Sequence, residues 1–513
     1  MKKRSTRPYV IIGTAHLGLS GPVLKAIASF AKYFQADVIH VGPLCTVEER
    51  KMYETRIQRV RTWEKIDDRN IQIEELYRRY KKEAADLVAA QRKRVTSLME
   101  AFGSVGFVAN DEQMIPDPEI ALLGTEHCLS KHLTLTSIPA NGDKITGDPI
   151  TSKCMLAMRE YNSSVIMAHP IPSTRMYKKE GVNCAYMFST TGSLIPPEKC
   201  KRVSDIWKQI LKPSFLLVGI DEKTEEYHSQ RVRVKFHRDE ALHRAMPHIS
   251  FDGLVFKSDG KKPIEVGSAD RACYITDIHA PHHADNVVQC FHELIKLHKP
   301  ELVIDGGDTS DFASVSRHTE ALPGARENLR LMDDLQAMWN ILNGFKKANA
   351  TVQSVKVLDS NHAEWLSVFV QKNPALKGML DWETLSKQFF KDFELVIRKG
   401  NVGAIWFGDL AIRHGDQENS LMEAHLSYKN YVAGHYHSYQ ELGDAVRVGC
   451  AAKLDPSYLR GNNTAWQWHI TTFTKFKGVT DKHPRIVLVN KAGNRSMFMY
   501  RGQIYEVSHQ GTL

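Results

Sequence analysis

Tyr274-Ile275-Thr276-Asp277-Ile278-His279 is a short apolar run that ends in an acid and an imidazole two residues apart. Side chains alternate along a strand, so Asp277 and His279 point to the same side at its end, as two ligands of one ion would. The pair alone decides little, because a turn with a surface histidine gives the same letters. Four further signals follow it in order. Gly307-Asp308-Thr309-Ser310-Asp311 comes after the apolar run Glu301 to Ile304, with Asp308 on a turn that glycine permits. Ser360-Asn361-His362-Ala363-Glu364 follows Val355 to Leu358, and Ala411-Ile412-Arg413-His414-Gly415-Asp416 places a histidine after another apolar run. Tyr431-Val432-Ala433-Gly434-His435-Tyr436-His437 places two.

Any one of these is as readily a structural turn or a core histidine. Their joint occurrence, in order and each at a strand end, points to one constellation. The set resembles the calcineurin-like metallophosphoesterase superfamily, whose pattern is Asp-x-His, Gly-Asp-x-x-Asp, Gly-Asn-His-Asp/Glu, His and Gly-His-x-His. The resemblance covers roughly residues 272–448 and is specific for the superfamily, not for a substrate.

The chemistry accounts for the residue types. Phosphodiester hydrolysis needs a nucleophile at neutral pH and a counter to the charge on phosphorus, and two metals a few ångströms apart supply both. The resemblance implies that Asp308 is shared, with Asp277, His279 and His437 completing one metal and Asn361, His414 and His435 the other. Mixed nitrogen and oxygen ligands favour Mn²⁺, with Fe, Zn or Mg as alternatives. It also implies that His362 stays off the metals as a general acid near the leaving oxygen. Asp311 and Glu364 are expected to orient the histidines or stiffen the turns. Arg317, His318 and Arg413 lie near ligands in sequence and are candidate phosphate contacts.

Two departures stand out. Ser360 replaces the usual glycine before Asn361, and Phe312 stands where the protein Ser/Thr phosphatases of the superfamily carry an arginine. The second weakens a phosphoprotein-phosphatase reading.

The first half repeats the plan in worn form. Thr14-Ala15-His16 answers Asp277-Ile278-His279, Gly42-Pro43 answers Gly307-Asp308, and Asn110-Asp111 answers Asn361-His362. The run ending at His169 answers the run ending at His414, and Thr190 to Gly192 answers His435 to His437; 190 − 169 and 435 − 414 are both 21. Few acidic or paired-histidine ligands survive, so this half is expected to be catalytically dead. The resulting expectation is an α/β chain of two tandem calcineurin-like domains, each a two-sheet β-sandwich flanked by helices. Residues 1–265 form the degenerate copy and 266–513 the active one. A passage at 238–270 is expected to be loop-rich.

A charged segment at about residues 46–100 lacks proline and glycine and reads as helix. Within it Ile73, Tyr77, Tyr80, Ala84 and Leu87 form a packing seam that decays at Gln91 and Arg94. The clusters Arg78 to Lys82 and Arg92 to Arg94 sit beside acids, so a solvated helix face explains them and phosphate contact is the minority reading.

The 513 residues carry 42% hydrophobic and 25% charged side chains, ordinary globular values that exclude wholesale disorder. A net charge of +9 permits a polyanionic partner without requiring one. The eight cysteines are scattered with no Cys-x-x-Cys pair, which suits reduced thiols in a cytoplasm, host cytoplasm if the chain is phage-encoded. No apolar run is long enough for a signal-peptide core or a membrane span, so no membrane association is expected. DNA is the expected partner, assembly into a homo-oligomer is expected, and DNA-repair exonucleases and phage DNases are the functional models by resemblance. A phosphodiesterase or phosphatase acting on nucleotides, or a non-catalytic DNA-binding or scaffolding protein, are the rival readings.

Overall fold

In the computed structural model the run Arg271–Ile275 is a strand whose every residue is buried. It pairs in parallel with Leu302–Asp305 and antiparallel with His469–Phe476. The six-stranded sheet around it runs Glu394–Val396, Ser354–Leu358, Leu302–Asp305, Arg271–Ile275, His469–Phe476 and Val479–Ile486. The structure describes residues 1–13, 21–44, 47–66, 71–109, 114–137, 163–169, 171–178, 185–192, 194, 205–239, 243–316, 328–396, 403–454, 465–490 and 493–509. The fold is mixed α/β, and no described helix is long and apolar enough to cross a membrane.

Two layers enclose the apolar side chains on the inner face of this sheet. Tyr274, Ile304, Leu358 and Phe473 meet Ile412, Val432 and Val446 from a second sheet of ten strands. The outer face is covered by the helices Asp285–His298 and Leu331–Lys347, whose apolar stripes bury Phe291, Leu294, Leu342 and Phe345. Burial of such side chains is the main favourable term in folding.

The ten-stranded sheet is continuous across the chain. Its C-terminal half runs Ile405–Phe407, Leu410–Ile412, Tyr431–Ala433, Ala445–Arg447 and Gln440–Leu442. Its N-terminal half runs, from the other edge, Glu126–Ser130, Leu133–Thr136, Ser164–Met167, Ala185–Thr190 and Ser173–Lys178. The two halves join where Gln440–Leu442 pairs antiparallel with Ser173–Arg175. Strand for strand, the two halves share order and direction. A five-stranded sheet, Tyr227–Arg233, Ser214–Asp221, Thr6–Gly13, Asp37–Val41 and Gly106–Val108, covers the N-terminal half as the six-stranded sheet covers the other.

This order corrects the residue correspondences drawn from spacing. Ser164–Met167 occupies the place of Tyr431–Ala433, not of the strand before His414. The peptide N–H groups of Thr191 and Val448 donate to the Met167 and Ala433 carbonyls, which fixes that register. His169 therefore stands where His435 stands, and Ile171 where His437 stands. The matching interval of 21 counted one strand out of step, because the connections differ in length between the halves: Thr136 and its partner Met167 are 31 residues apart, Ile412 and its partner Val432 only 20. Ile171 is buried, and its N–H donates to His169 Nδ1 at 3.2 Å. Thr190 spends its hydroxyl on the Ile171 carbonyl at 2.6 Å. Gly42 and Gly307 do correspond, with φ of 105° and 99°, a region glycine enters without a Cβ penalty. Thr14 to His16 and Asn110-Asp111 lie outside the described residues.

The charged segment is a helical hairpin, Val47–Trp63 and Ile71–Phe102, tied by Arg56 to Glu83 and by Trp63 against Tyr80, ring centroids 5.4 Å apart. Contrary to the sequence reading, the seam does not decay at Gln91. That amide is fully buried and exchanges two 2.8 Å hydrogen bonds with the Ile115 backbone, which offsets the cost of burying a polar group. The basic clusters are largely paired, Arg78 with Glu74, Arg79 with Glu83, Arg92 with Asp117 and Arg94 with Glu49. The expected loop-rich passage is instead a four-stranded antiparallel sheet, Lys235–Asp239, Arg244–Phe251, Leu254–Lys257 and Ile264–Glu265. Its polar turns hide alternating apolar positions such as Ile249, Phe251, Leu254 and Phe256, which are buried.

Buried charge joins the halves. Glu441 accepts from Arg231 Nε at 2.9 Å and from Arg233, and the Thr174 hydroxyl donates to it at 3.0 Å. Asp444 lies 3.0 Å from Arg233 Nε and 3.0 Å from Lys235 Nζ. Removing one member leaves uncompensated charge in a low dielectric. Glu441→Ala is therefore expected to cost about 3–5 kcal/mol of unfolding free energy in urea titrations; a loss near zero would contradict the buried network. A second pair, Asp252 with Arg485, sets an acid limb. Burial raises the Asp252 carboxyl, but Arg485 outweighs this and brings it down to about 2. A depressed folded value means its stabilisation is complete above about pH 4 and fades as pH falls toward 2, about 2–3 kcal/mol in all. Asp252→Asn should flatten that part of the stability-versus-pH curve.

Candidate metal centre

Three of the strand ends deliver their side chains through strained turns. Asp277, His279, Asp308, His435 and His437 have φ of 52°, 52°, 51°, 69° and 55°. Non-glycine residues rarely hold that conformation, and Asp and His tolerate it better than most. Backbone bonds fix it: Asp277 N–H donates to the Gly307 carbonyl at 3.0 Å, and His279 N–H to the Asp308 carbonyl at 2.9 Å. Gly434 is needed for closeness, since a Cβ there would lie 2.1 Å from Asp277 Oδ2.

The seven expected ligands are brought together. Asp277, His279 and His437 form one group, and Asp308, His414 and His435 another, with candidate ligand atoms inside 4.8 Å of one another within each. His437 Nε2 is 3.3 Å from Asp277 Oδ1 and 3.2 Å from His279 Nε2. His414 Nε2 is 3.2 Å from Asp308 Oδ2 and 2.7 Å from Asn361 Oδ1. Asp308 thus lies between the groups, its Oδ2 also 4.0 Å from His279 Nε2.

The outer nitrogens fix which inner nitrogens are free. His414 Nδ1 donates to the Gly306 carbonyl at 3.0 Å, so its Nε2 faces Asp308 and Asn361. His279 Nδ1 is held 3.0 Å from Asp311 Oδ1, which turns Nε2 toward His437. Imidazole nitrogens and carboxylate oxygens that converge this closely are stabilised by a positive charge shared among them. Divalent cations fit such a donor set.

Electrostatics agrees. Burial pushes Asp277 and Asp308 up, yet His437 and His414 bring Asp277 down to about 2, and His414 and His362 hold Asp308 well below the usual carboxylate range. Burial lowers His414, but Asp308 more than reverses this and raises it to about 10. Carboxylates this acidic offer charged oxygens to a cation, and one that displaced the proton from His414 would free its Nε2 lone pair.

His362 begins the helix Asn361–Lys372, and its peptide N–H donates to Asp308 Oδ1 at 3.2 Å. Its Nδ1 donates to the Asp311 carbonyl at 2.9 Å, leaving Nε2 free toward the centre, 3.8 Å from Asp308 Oδ2. Burial lowers its proton affinity. Ser360 causes no strain, because its φ of −144° suits any residue. Phe312 is buried edge-on against Trp382, with ring centroids 5.7 Å apart.

Other expected residues fall elsewhere. Glu364 is exposed on the helix, and among the described residues no hydrogen bond or ion pair joins its side chain to a histidine. Arg413 is buried and engaged by Glu418 at 3.1 Å, with Tyr428 and Gln417 also accepting, so it braces the fold and does not face a substrate. Arg317 and His318 lie outside the described residues. Sequence reading missed Thr276, whose hydroxyl donates to Asp277 Oδ2 at 2.8 Å, and two indoles. Trp365 lies 3.9 Å from the His362 ring and Trp466 4.2 Å from His437, centroid to centroid. The three-residue step from His362 to Trp365 on one helix was the available signal.

No family model matches the chain, and no curated protein matches it. Among solved structures it is similar to Vps29 from Chaetomium thermophilum, at 11% identity and a TM-score of 0.24, over 47% of this chain and 95% of that one. At that score the likeness carries no weight, and the centre is read from its own side chains.

Asp311 and Glu364 now separate. Asp311→Asn should weaken metal binding by about 10–100-fold, measured by competition with a fluorescent chelator, because it releases the His279 ring. Glu364→Gln should leave that affinity unchanged.

Proposed function

We propose that this chain is a metal-dependent phosphodiesterase that hydrolyses DNA at a dinuclear centre in residues 266–513, with residues 1–265 as a topological copy that lacks the ligands. The observation that carries the reading is the meeting of two acid-and-histidine groups across one carboxylate, Asp308. The sequence motifs match the calcineurin-like metallophosphoesterase pattern at the same residues. Mixed nitrogen and oxygen donors favour Mn²⁺.

Asp277, His279 and His437 would hold one ion, Asn361, His414 and His435 the other, and Asp308 both. Such a pair of ions supplies positive charge to the phosphoryl oxygens and acidifies an attacking water. Asp311 fixes the His279 ring and, through its carbonyl, the tautomer of His362. His362 Nε2 is the free donor beside the centre. An anionic phosphate oxygen next to it restores the proton affinity that burial removes, and the proton passes to the leaving oxygen as the P–O bond breaks.

DNA is preferred over a phosphoprotein because Phe312, packed on Trp382, replaces an arginine the protein phosphatases use. Linear, circular and single-stranded DNA and an aryl phosphodiester, each in Mn²⁺ and in chelator, test the reading. Cleavage should require metal and fall at least a thousandfold (~10³) in Asp308→Ala. His362→Ala should lower kcat on DNA by about 10²–10⁴, and less on an aryl ester whose leaving group needs no proton. DNA cleavage that survives Asp308→Ala would refute the site. Aryl-ester turnover without DNA cleavage would move the substrate to small molecules.

A further inference from the structure

A groove of about 1750 Å³ runs along the N-terminal half, between the helix Gly21–Phe34, the end of the helix Ile71–Phe102 and the loop 258–263. Five lysines line it from all three elements: Lys25 and Lys32, Lys93, and Lys261 and Lys262. All five are exposed. None makes an ion pair among the described residues, whereas most arginines of the neighbouring helical hairpin do. Glu100 and Asp259 are the acids in the lining, and Arg94 there is neutralised by Glu49. The groove is therefore net positive.

It also holds a fixed aromatic ring. Tyr33 is 49% exposed, yet packs edge-on against Phe34 and Phe256 with centroids 5.0 and 5.5 Å away. An exposed ring costs the protein apolar burial, and here it stands among lysines with one edge braced by Phe34 and Phe256. Lys25, Ser29 and Lys32 recur at helical spacing along one wall, and Lys93 and Ser97 face them from the other. Lysines on facing walls suit a strand that enters the concavity. A flat anionic membrane would reach only the rim.

We propose that this groove binds single-stranded nucleic acid, its phosphates on the five lysines and a base stacked on Tyr33. A basic track with an aromatic platform is the physical recipe for such binding without sequence preference. The choice of polyanion rests on the DNA reading above, but the groove and the metal centre fail independently. Binding is measured in chelator, where no cleavage occurs.

The full chain is titrated into a labelled mixed-sequence oligonucleotide, read by fluorescence anisotropy across a salt series. Replacing all five lysines by glutamine should reduce the salt slope by about 3.5, five contacts at about 0.7 each. Tyr33→Ala should weaken binding about tenfold, and Tyr33→Phe should not. Lys347→Gln with Lys377→Gln, exposed elsewhere, should change nothing. In the unmodified protein, bound oligonucleotide should shield the five groove lysines from acetylation and leave Lys347 and Lys377 reactive, which keeps the test independent of variant folding. Absent binding, unchanged binding in the five-lysine variant, or tighter binding of polyglutamate or anionic vesicles would overturn the proposal. Aryl-ester turnover in the five-lysine variant reports separately on the metal centre: loss of oligonucleotide binding with turnover retained supports the groove, and failed turnover in the unmodified chain sinks only the hydrolytic reading.

Discussion

Backbone hydrogen bonds that run on past the strand ends hold the whole centre in place. Asp277, His279 and Ala280 donate in turn to the carbonyls of Gly307, Asp308 and Thr309, and Ala451 donates back to Asp277. Two ligand loops are thereby locked to each other before any side chain is considered. Five ligand-bearing residues sit in left-handed backbone as a result, each costing of order 1–3 kcal/mol that the buried sheet must support. The strain aims side chains from three separate loops at one volume, where Asn361 and His414 join them from two more, and flat extended strands could not do this.

The same sheet ties the two halves of the chain. Because Gln440–Leu442 pairs with Ser173–Arg175, the ten strands form one surface, and Glu441 at the seam is neutralised by arginines from the covering sheet. Charge buried at a junction adds less to stability than an apolar contact would, but it penalises any other register. The metal-centre half is thus oriented rigidly against the half that carries the basic groove.

Much of the candidate centre was legible in the sequence because its acids and histidines are local to strand ends, and an apolar run followed by Asp-x-His or His-x-His marks such an end. The helical hairpin was legible from composition. What failed was whatever depends on tertiary partners. Spacing could not index strands of a repeated unit, so His169 was matched to His414 where the strand order places it at His435. Polar turns concealed the small sheet from Lys235 to Glu265, whose strands are short and whose apolar positions alternate. Gln91 reads as the end of a seam until Ile115 is seen to pair with it. Arg413 was chosen for nearness in sequence and Glu364 as part of the Asn-His motif, and one is buried under Glu418 while the other faces solvent.

The most direct measurement is anomalous scattering at the manganese edge from crystals of the full chain grown with Mn²⁺. The account predicts two peaks, one among Asp277, His279 and His437 and one among Asn361, His414 and His435, with Asp308 between them and none beside His169. A single peak, or one beside His169, would contradict it.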